Sequence, residues 1–236
     1  MKPRLLDLFC GAGGAAVGYD RAGVEVVGVD INPQPNYPYE FHQADALEFM
    51  GELLHWEYPV ASFDAIHASP PCQGYSQRTP DQNKHPRMIG EVRDLLKMSD
   101  LPYVIENVRN ARSDMVEPVM LCGSSFGLRV QRHRLFESNF PIKAPPCDHA
   151  WQEADKRFLV YDHKKWFWTG VAPVYGSGGR KAVEYWPSAM GCGSTWDDCW
   201  MTRDELAEAI PPAFTEFIGQ QLISHLYDYS TNRLAV

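Results

Sequence analysis

The 236-residue chain is predicted to be an α/β protein: a mostly parallel sheet with helices on both faces, plus a small irregular insert. Three observations predict this. Short apolar runs alternate with helical patterns through the first half, which is how a parallel sheet with crossover helices is written. Two loops of unusual composition, "DLFCGAGG" (7–14) and "SPPCQGYS" (69–76), each follow an apolar run. Near Asn139 the alternation breaks, and residues 141–196 are rich in Pro, Gly, Trp and Tyr without a helical period. The expected organisation is a main domain over 1–140, an insert over 141–196, and helices over 197–236 that complete the main domain.

Taken in order, "RLLDLF" is a strand and "GGAAVGYDRAG" a helix that stops at Gly23. "VEVVGVD" is a second strand. Another short strand precedes Asp45, which is suited to N-cap the helix "ALEFMGELLHW". "FDAIHA", "PYVIEN" and "RHRLFES" are further strands, while "WFWTG" reads either as strand or as apolar core. From Met201 the chain returns to helix. Thr202 and Glu205 fit a capping box, and Pro211-Pro212 divides the region into two helices.

Composition is that of a soluble globular protein, 44% hydrophobic and 22% charged. No apolar run reaches the roughly 20 residues of a membrane helix, and the N-terminus turns glycine-rich too early for a signal peptide. A cytoplasmic protein without membrane contact, and a monomer, is expected. The six cysteines should then be reduced. A formal charge of −8 argues against passive, charge-driven nucleic-acid binding. Yet Arg78, Lys84 and Arg87 share one loop, and Lys156, Arg157, Lys164, Lys165, Arg180 and Lys181 share one acid-poor segment. Such segregation leaves room for a local basic face.

The first loop suits a ligand. Glycines at 11, 13 and 14 let backbone approach a bound molecule. Asp30 ends the second strand, where an acid can hydrogen-bond a ribose diol, and Asp45 ends the next. Together they point to an adenosine-containing ligand; no P-loop lysine supports a nucleoside triphosphate. In the second loop, Cys72 stands where a buried strand opens into a loop. Glu106 ends "YVIEN", and Arg132 and Arg134 alternate along a strand, so both should face one side. A nucleophile, a carboxyl group and guanidinium groups at neighbouring strand ends make a pocket for a polar, planar substrate.

With these motifs in this order, nearly the whole chain outside the insert resembles the DNA cytosine-5 methyltransferases, in a small form with a short target-recognition insert. "DLFCGAGG" resembles the family's S-adenosylmethionine loop, "SPPCQGYS" its catalytic loop, "ENV" its glutamate motif, "RHR" its arginine motif and "AIPPAFTEFIGQQL" its closing helix. The resemblance implies a Rossmann-like S-adenosylmethionine-dependent methyltransferase fold and methyl transfer to carbon 5 of a flipped cytosine in DNA, as in restriction-modification. It implies cofactor contacts from Phe9, Gly11, Gly13, Gly14, Asp30, Ile31, Asp45, Ala46 and Pro70. Cys72 would attack carbon 6, Glu106 would meet ring nitrogen 3 and the exocyclic amine, Arg134 the ring carbonyl, and Arg132 would support the site or a phosphate. Gln73, Ser76, Arg78, Lys84, Arg87, Arg180 and Lys181 would contact DNA. An RNA cytosine-5 methyltransferase and a catalytically silent nucleic-acid-binding protein are the alternatives.

The sequence departs from the family pattern in two places. Val130 stands where Gln opens the arginine motif, and Ala207-Glu208 replace Gly-Asn before the closing helix. Cys147, His149, Cys192 and Cys199 flank the insert and could hold zinc, but the second spacing is longer than the usual ligand pair. Free thiols and no metal are expected.

Overall fold

A computed structural model describes residues 2–55, 62–77, 79–154, 158–162, 165–172, 174 and 183–233, the backbone alone over 158–162, 165–168 and 229–233. In chain order the elements are β1 (Arg4–Leu8), α1 (Gly14–Ala22), β2 (Glu25–Asp30), β3 (Glu40–Gln43), α2 (Ala46–His55), β4 (Ala65–Ala68), α3 (Ile89–Met98) and β5 (Tyr103–Val108). There follow β6 (Val119–Leu121), β7 (Arg134–Ser138), α4 (Ala150–Ala154), β8 (Phe158–Asp162), β9 (Lys165–Thr169), α5 (Trp186–Met190), α6 (Arg203–Glu208) and α7 (Pro212–Arg233).

Seven strands form one sheet in the order β3-β2-β1-β4-β5-β7-β6. β1 to β5 are mutually parallel, and β7 runs antiparallel to both β5 and β6. The mostly parallel sheet expected from the alternating pattern is therefore present, with an antiparallel edge. The chain moves outward from β1 through β2 and β3, then returns to the other side of β1 with β4. That reversal opens a crevice beyond the carboxyl ends of β1 and β4, the place where open α/β sheets bind ligands.

Both faces are covered. Leu6, Leu8, Ile66 and Ile105 pack with Met50 of α2 and with Ile89, Val92 and Leu96 of α3. Leu5, Val26, Val104 and Phe136 pack with Ala15, Ala16 and Tyr19 of α1 and Phe214, Ile218 and Leu222 of α7. This double burial is why the inner strands read as continuous apolar runs. Asp45 Oδ1 accepts from the backbone N–H groups of Leu47 and Glu48 and so caps α2. The Thr202–Glu205 capping box is formed in both directions, and α6 and α7 part at the proline pair as anticipated.

Two expectations need correction. The strand read from "RHRLFES" begins only at Arg134, because Arg132 adopts a positive φ of 36° that no strand tolerates. Arg132 and Arg134 are thus not alternate residues of one strand. The insert is also less irregular than its composition suggested: β8 and β9 pair as an antiparallel hairpin, so "WFWTG" contributes strand, and α4 and α5 flank it. Its later part does not stand apart. Ala172, Val174, Trp186 and Met190 share a cluster with Ala12, Val130, Leu206 and Ala207, and just beyond the insert Trp200 Nε1 donates to the Ala12 carbonyl at 2.9 Å.

Candidate active site

Parallel strands end at one edge of the sheet, so the loops after β1, β2, β4 and β5 converge there. Because β7 is antiparallel, its first residue reaches the same edge: Arg134 is paired with Val108, the last residue of β5. A cavity of about 1010 Å³ lies at this edge. Of the residues singled out in the sequence, Phe9, Gly11, Gly14, Asp30, Ile31, Pro70, Cys72, Gln73, Ser76, Glu106, Arg132 and Arg134 line it.

Others fall elsewhere. Gly13 has φ 86° and N-caps α1, and a side chain there would press on Tyr37 and Pro38. Asp45 and Ala46 do not line the cavity; the Asp45 carboxylate caps its helix instead. Lys84 pairs with Asp81 at 2.9 Å, and Arg87 pairs with Asp114 at 2.7 Å while lying over the Tyr75 ring. Neither lines the cavity. Arg78, Arg180 and Lys181 lie outside the described residues.

The glycine loop is braced from within. Gly11 N–H donates to Asp30 Oδ2 at 3.1 Å and Asn32 N–H to Oδ1 at 2.9 Å. A carboxylate has about four acceptor positions, so Asp30 orders the loop and can still accept from a ligand diol. Phe9 holds a positive φ of 58°, a conformation uncommon outside glycine, at the turn out of β1. Ile31 is 61% exposed at the cavity rim.

At the other end, half-buried Cys72 follows the proline pair. The loop is held by Asn107, whose Nδ2 donates to the Pro70 carbonyl at 2.9 Å. Burial pushes the Cys72 thiol pKa up, the Glu106 and Glu208 charges add to this, and Arg134 opposes it. Glu106 is itself buried, which raises its carboxyl pKa against the pull of Arg134 and Arg132. Arg134 Nε lies 2.9 Å from Glu106 Oε1, yet that oxygen accepts no aligned hydrogen bond. It is a buried acceptor facing the cavity without a directional partner, a condition that native structures rarely leave unexplained. Arg132 donates to the carbonyls of Ala207 at 2.7 Å and Val174 at 3.2 Å. It therefore ties Val174 of the insert and Ala207 of α6 together beside the cavity.

Behind Glu106 runs a chain of buried polar groups that the sequence reading missed. Tyr19 Oη lies 3.0 Å from His67 Nδ1, and His67 Nε2 lies 2.9 Å from Ser69 Oγ. The Ser69 hydroxyl favours the charged form of Glu106 by hydrogen bonding to it. Burial holds His67 near pKa 3 and therefore neutral. With Ser69 donating to Glu106, neutral His67 must donate from Nε2 and accept from Tyr19 at Nδ1. Asp7, the next-to-last residue of β1, is also fully buried, and among the described residues neither of its carboxyl oxygens has a hydrogen-bond partner. Burial first, and the nearby Asp30 charge second, raise its pKa well above the usual carboxylate range. The signal for both was present: a polar residue inside an otherwise apolar, doubly covered strand.

A family model for the C-5 cytosine-specific DNA methylases matches residues 3–136, more than half of the chain. The chain belongs to this family. Among its relatives, the type II methyltransferase M.XorII of Xanthomonas oryzae is 26% identical over 148 residues, 57% of this chain and 31% of its own length. M1.HphI of Haemophilus parahaemolyticus is 30% identical over 122 residues, 46% of this chain and 33% of its own. The matched part thus spans about a third of these curated relatives. The same fold occurs in a candidate DNA modification methyltransferase encoded within an E. coli prophage, with TM-score 0.60, 14% identity and coverage of 96% of this chain and 99% of that one. The Dnmt2 methyltransferase of S. pombe superposes with TM-score 0.56 at 12% identity, with 96% and 99% covered. Among the described residues no helix is long and apolar enough to cross a membrane.

Proposed function

We propose that this chain is an S-adenosylmethionine-dependent DNA (cytosine-5-)-methyltransferase. The observation that carries the reading is that Cys72, Glu106 and Arg134 meet in one cavity with the Phe9–Gly14 loop and Asp30. Family membership supports it. The cofactor fits the residues present: Phe9 and exposed Ile31 leave apolar surface for a flat base, and Asp30 offers acceptor positions for a diol. When bound, S-adenosylmethionine supplies an electrophilic methyl group on a sulfonium.

The protein's own residues do the rest. Carbon 5 of cytosine is a poor nucleophile. Addition of the Cys72 thiolate to carbon 6 gives it enamine character. A free thiol with pKa near 8.5 is only a few per cent ionised at neutral pH, and the surroundings of Cys72 raise it further. Nucleophilic attack must therefore be coupled to binding of the base. Glu106, biased by burial toward its neutral form, can give a proton to ring nitrogen 3 as the thiolate adds. Arg134 holds the carboxyl in place and reaches the ring carbonyl. After methyl transfer the carbon-5 proton leaves and Cys72 is expelled. In duplex DNA the cytosine must first be flipped out, at a few kcal/mol.

Purified protein incubated with S-adenosylmethionine and unmethylated duplex DNA should yield 5-methylcytosine on nucleoside mass spectrometry, and Cys72→Ala should yield none. Product from RNA alone would move the assignment to an RNA methyltransferase. No product from either nucleic acid would leave a binding protein.

A further inference from the structure

Four side chains outside this chemistry converge at the far edge of the sheet. Cys122 follows β6, His133 immediately precedes β7, and Cys147 and His149 lie in the segment that leads into α4. One ligand atom from each lies within 4.8 Å of all the others. Cys122 Sγ is 3.2 Å from His149 Nε2, and Cys147 Sγ is 3.5 Å from His133 Nε2. The two imidazole planes stand at 72° with centroids 5.3 Å apart, so the rings meet edge to face and do not stack.

Two isolated thiol–imidazole hydrogen bonds would account for two distances but not for the convergence of all four groups. A tetrahedral zinc ion accounts for it. With Zn–S bonds of about 2.3 Å and Zn–N bonds of about 2.0 Å, tetrahedral ligand atoms stand roughly 3.3–3.8 Å apart. The donor set is two sulfurs and two imidazole nitrogens with no carboxylate, which suits zinc and not a hard cation. Two thiolates would balance the dication. The Ser124 hydroxyl, 3.1 Å from Cys122 Sγ, is placed to hydrogen-bond the sulfur as an outer-shell partner.

We propose that Cys122, His133, Cys147 and His149 bind one structural zinc ion in a closed Cys2His2 site. The pairing differs from that considered in the sequence. Cys147 and His149 look back to the sheet, whereas Cys192 is buried in the cluster below α6 and Cys199 lies near it. The site would staple the entry of the insert to the sheet edge, adding to the hydrogen bonds from Asp148 N–H and Trp151 Nε1 to Ser124 and from Ser125 Oγ to the Pro146 carbonyl. His133 lies between Arg132 and Arg134, so the same ion would fix the backbone that carries both arginines. A small segment with little core of its own is where such a staple acts. The proposal is independent of which nucleic acid, if any, the cavity takes.

The test is elemental mass spectrometry on the full chain, purified with zinc in the medium and dialysed against a weak chelator. One zinc per chain is expected. Cys147→Ser, a conservative change at an exposed position, should reduce bound zinc to near zero while circular dichroism stays that of a folded α/β protein. Cys199→Ser should keep the full zinc content. Cobalt in place of zinc should give the intense visible bands of tetrahedral thiolate coordination. Folded protein without stoichiometric zinc, a Cys122–Cys147 disulfide in its place, full zinc content in Cys147→Ser, or loss of zinc in Cys199→Ser would each overturn the proposal.

Discussion

Arg134 sits diagonally across the antiparallel ladder from Glu106, with Nε 2.9 Å from Oε1 and only 17% and 8% of the two side chains exposed. The pair is coupled to Cys72, because both charges act on its thiol. Glu106→Gln keeps the shape but removes the transferable proton. It should lower methyl transfer by about 10²–10⁴-fold. In its ionised form Glu106 raises the Cys72 pKa, so with Gln in its place iodoacetamide alkylation of the Cys72 peptide should shift to lower pH. Methylation that falls while alkylation moves acidward is the expected signature. An unchanged alkylation profile would break the link between the two residues.

Glu208 stands where the family pattern has Asn, and it lines the cavity close enough to push the Cys72 thiol up. Removing its charge by Glu208→Gln should lower the Cys72 pKa and raise alkylation at neutral pH. Because Glu208 is the weakest of the contributors to Cys72, the shift should be smaller than in Glu106→Gln. Mass spectrometry of the Cys72 peptide keeps the exposed Cys147 out of the signal. No shift, or a shift to higher pH, would remove Glu208 from the electrostatics of the site.

His67 is expected to make the fold sensitive to mild acid. Its native pKa is lowered from 6.5 to about 3, so between those values the unfolded chain binds a proton that the native state refuses. Stability therefore rises with pH across that window, at up to about 1.4 kcal/mol per unit, and this contribution is flat above the unfolded pKa. Urea titrations at pH 7, 6 and 5 should show a steeper loss for the unaltered chain than for His67→Gln. Parallel slopes would sink the idea.

Gly18 lies where α1 crosses α7. A Cβ there would stand 2.0 Å from Thr215 Oγ1 and 2.1 Å from the Pro212 carbonyl oxygen. Thr215 is not free to turn away, since its hydroxyl donates to the Ala15 carbonyl at 2.8 Å. Gly18→Ala would gain roughly 1 kcal/mol of helix propensity but must separate two packed helices. A net loss of about 1–3 kcal/mol is expected from overpacking of this kind, measured by chemical denaturation. A stabilised variant would show that the crossing is loose.

Much of the site was legible because each part follows a strand. Cys72, Glu106 and the Phe9–Gly14 loop are predicted by apolar runs that end in polar or glycine-rich turns, and parallel pairing brings such ends together. Arg132 and Arg134 do not alternate along one strand, because Arg132 leaves regular strand geometry at φ 36°. Asp45 was readable as a helix cap but not as a residue set back from the cavity. Asp7 and His67 show in the sequence as polar residues inside apolar strands, but the partners they meet, Tyr19 and Ser69 for His67, are set only by packing.

The sequence by itself determined β1 to β5, the helices α1, α2, α6 and α7, the two loops of unusual composition and the family, because periodicity and loop composition are local properties; α3 and β6 were not legible in it. Which distant residues become neighbours was decided only in three dimensions. The antiparallel entry of β7 sets Arg134 against Glu106, the α6–α7 turn brings Glu208 toward Cys72, and the path of the chain after β7 carries Cys147 and His149 back to Cys122 and His133. Those contacts depend on how the sheet edges are closed by packing, and chain distance holds no record of that.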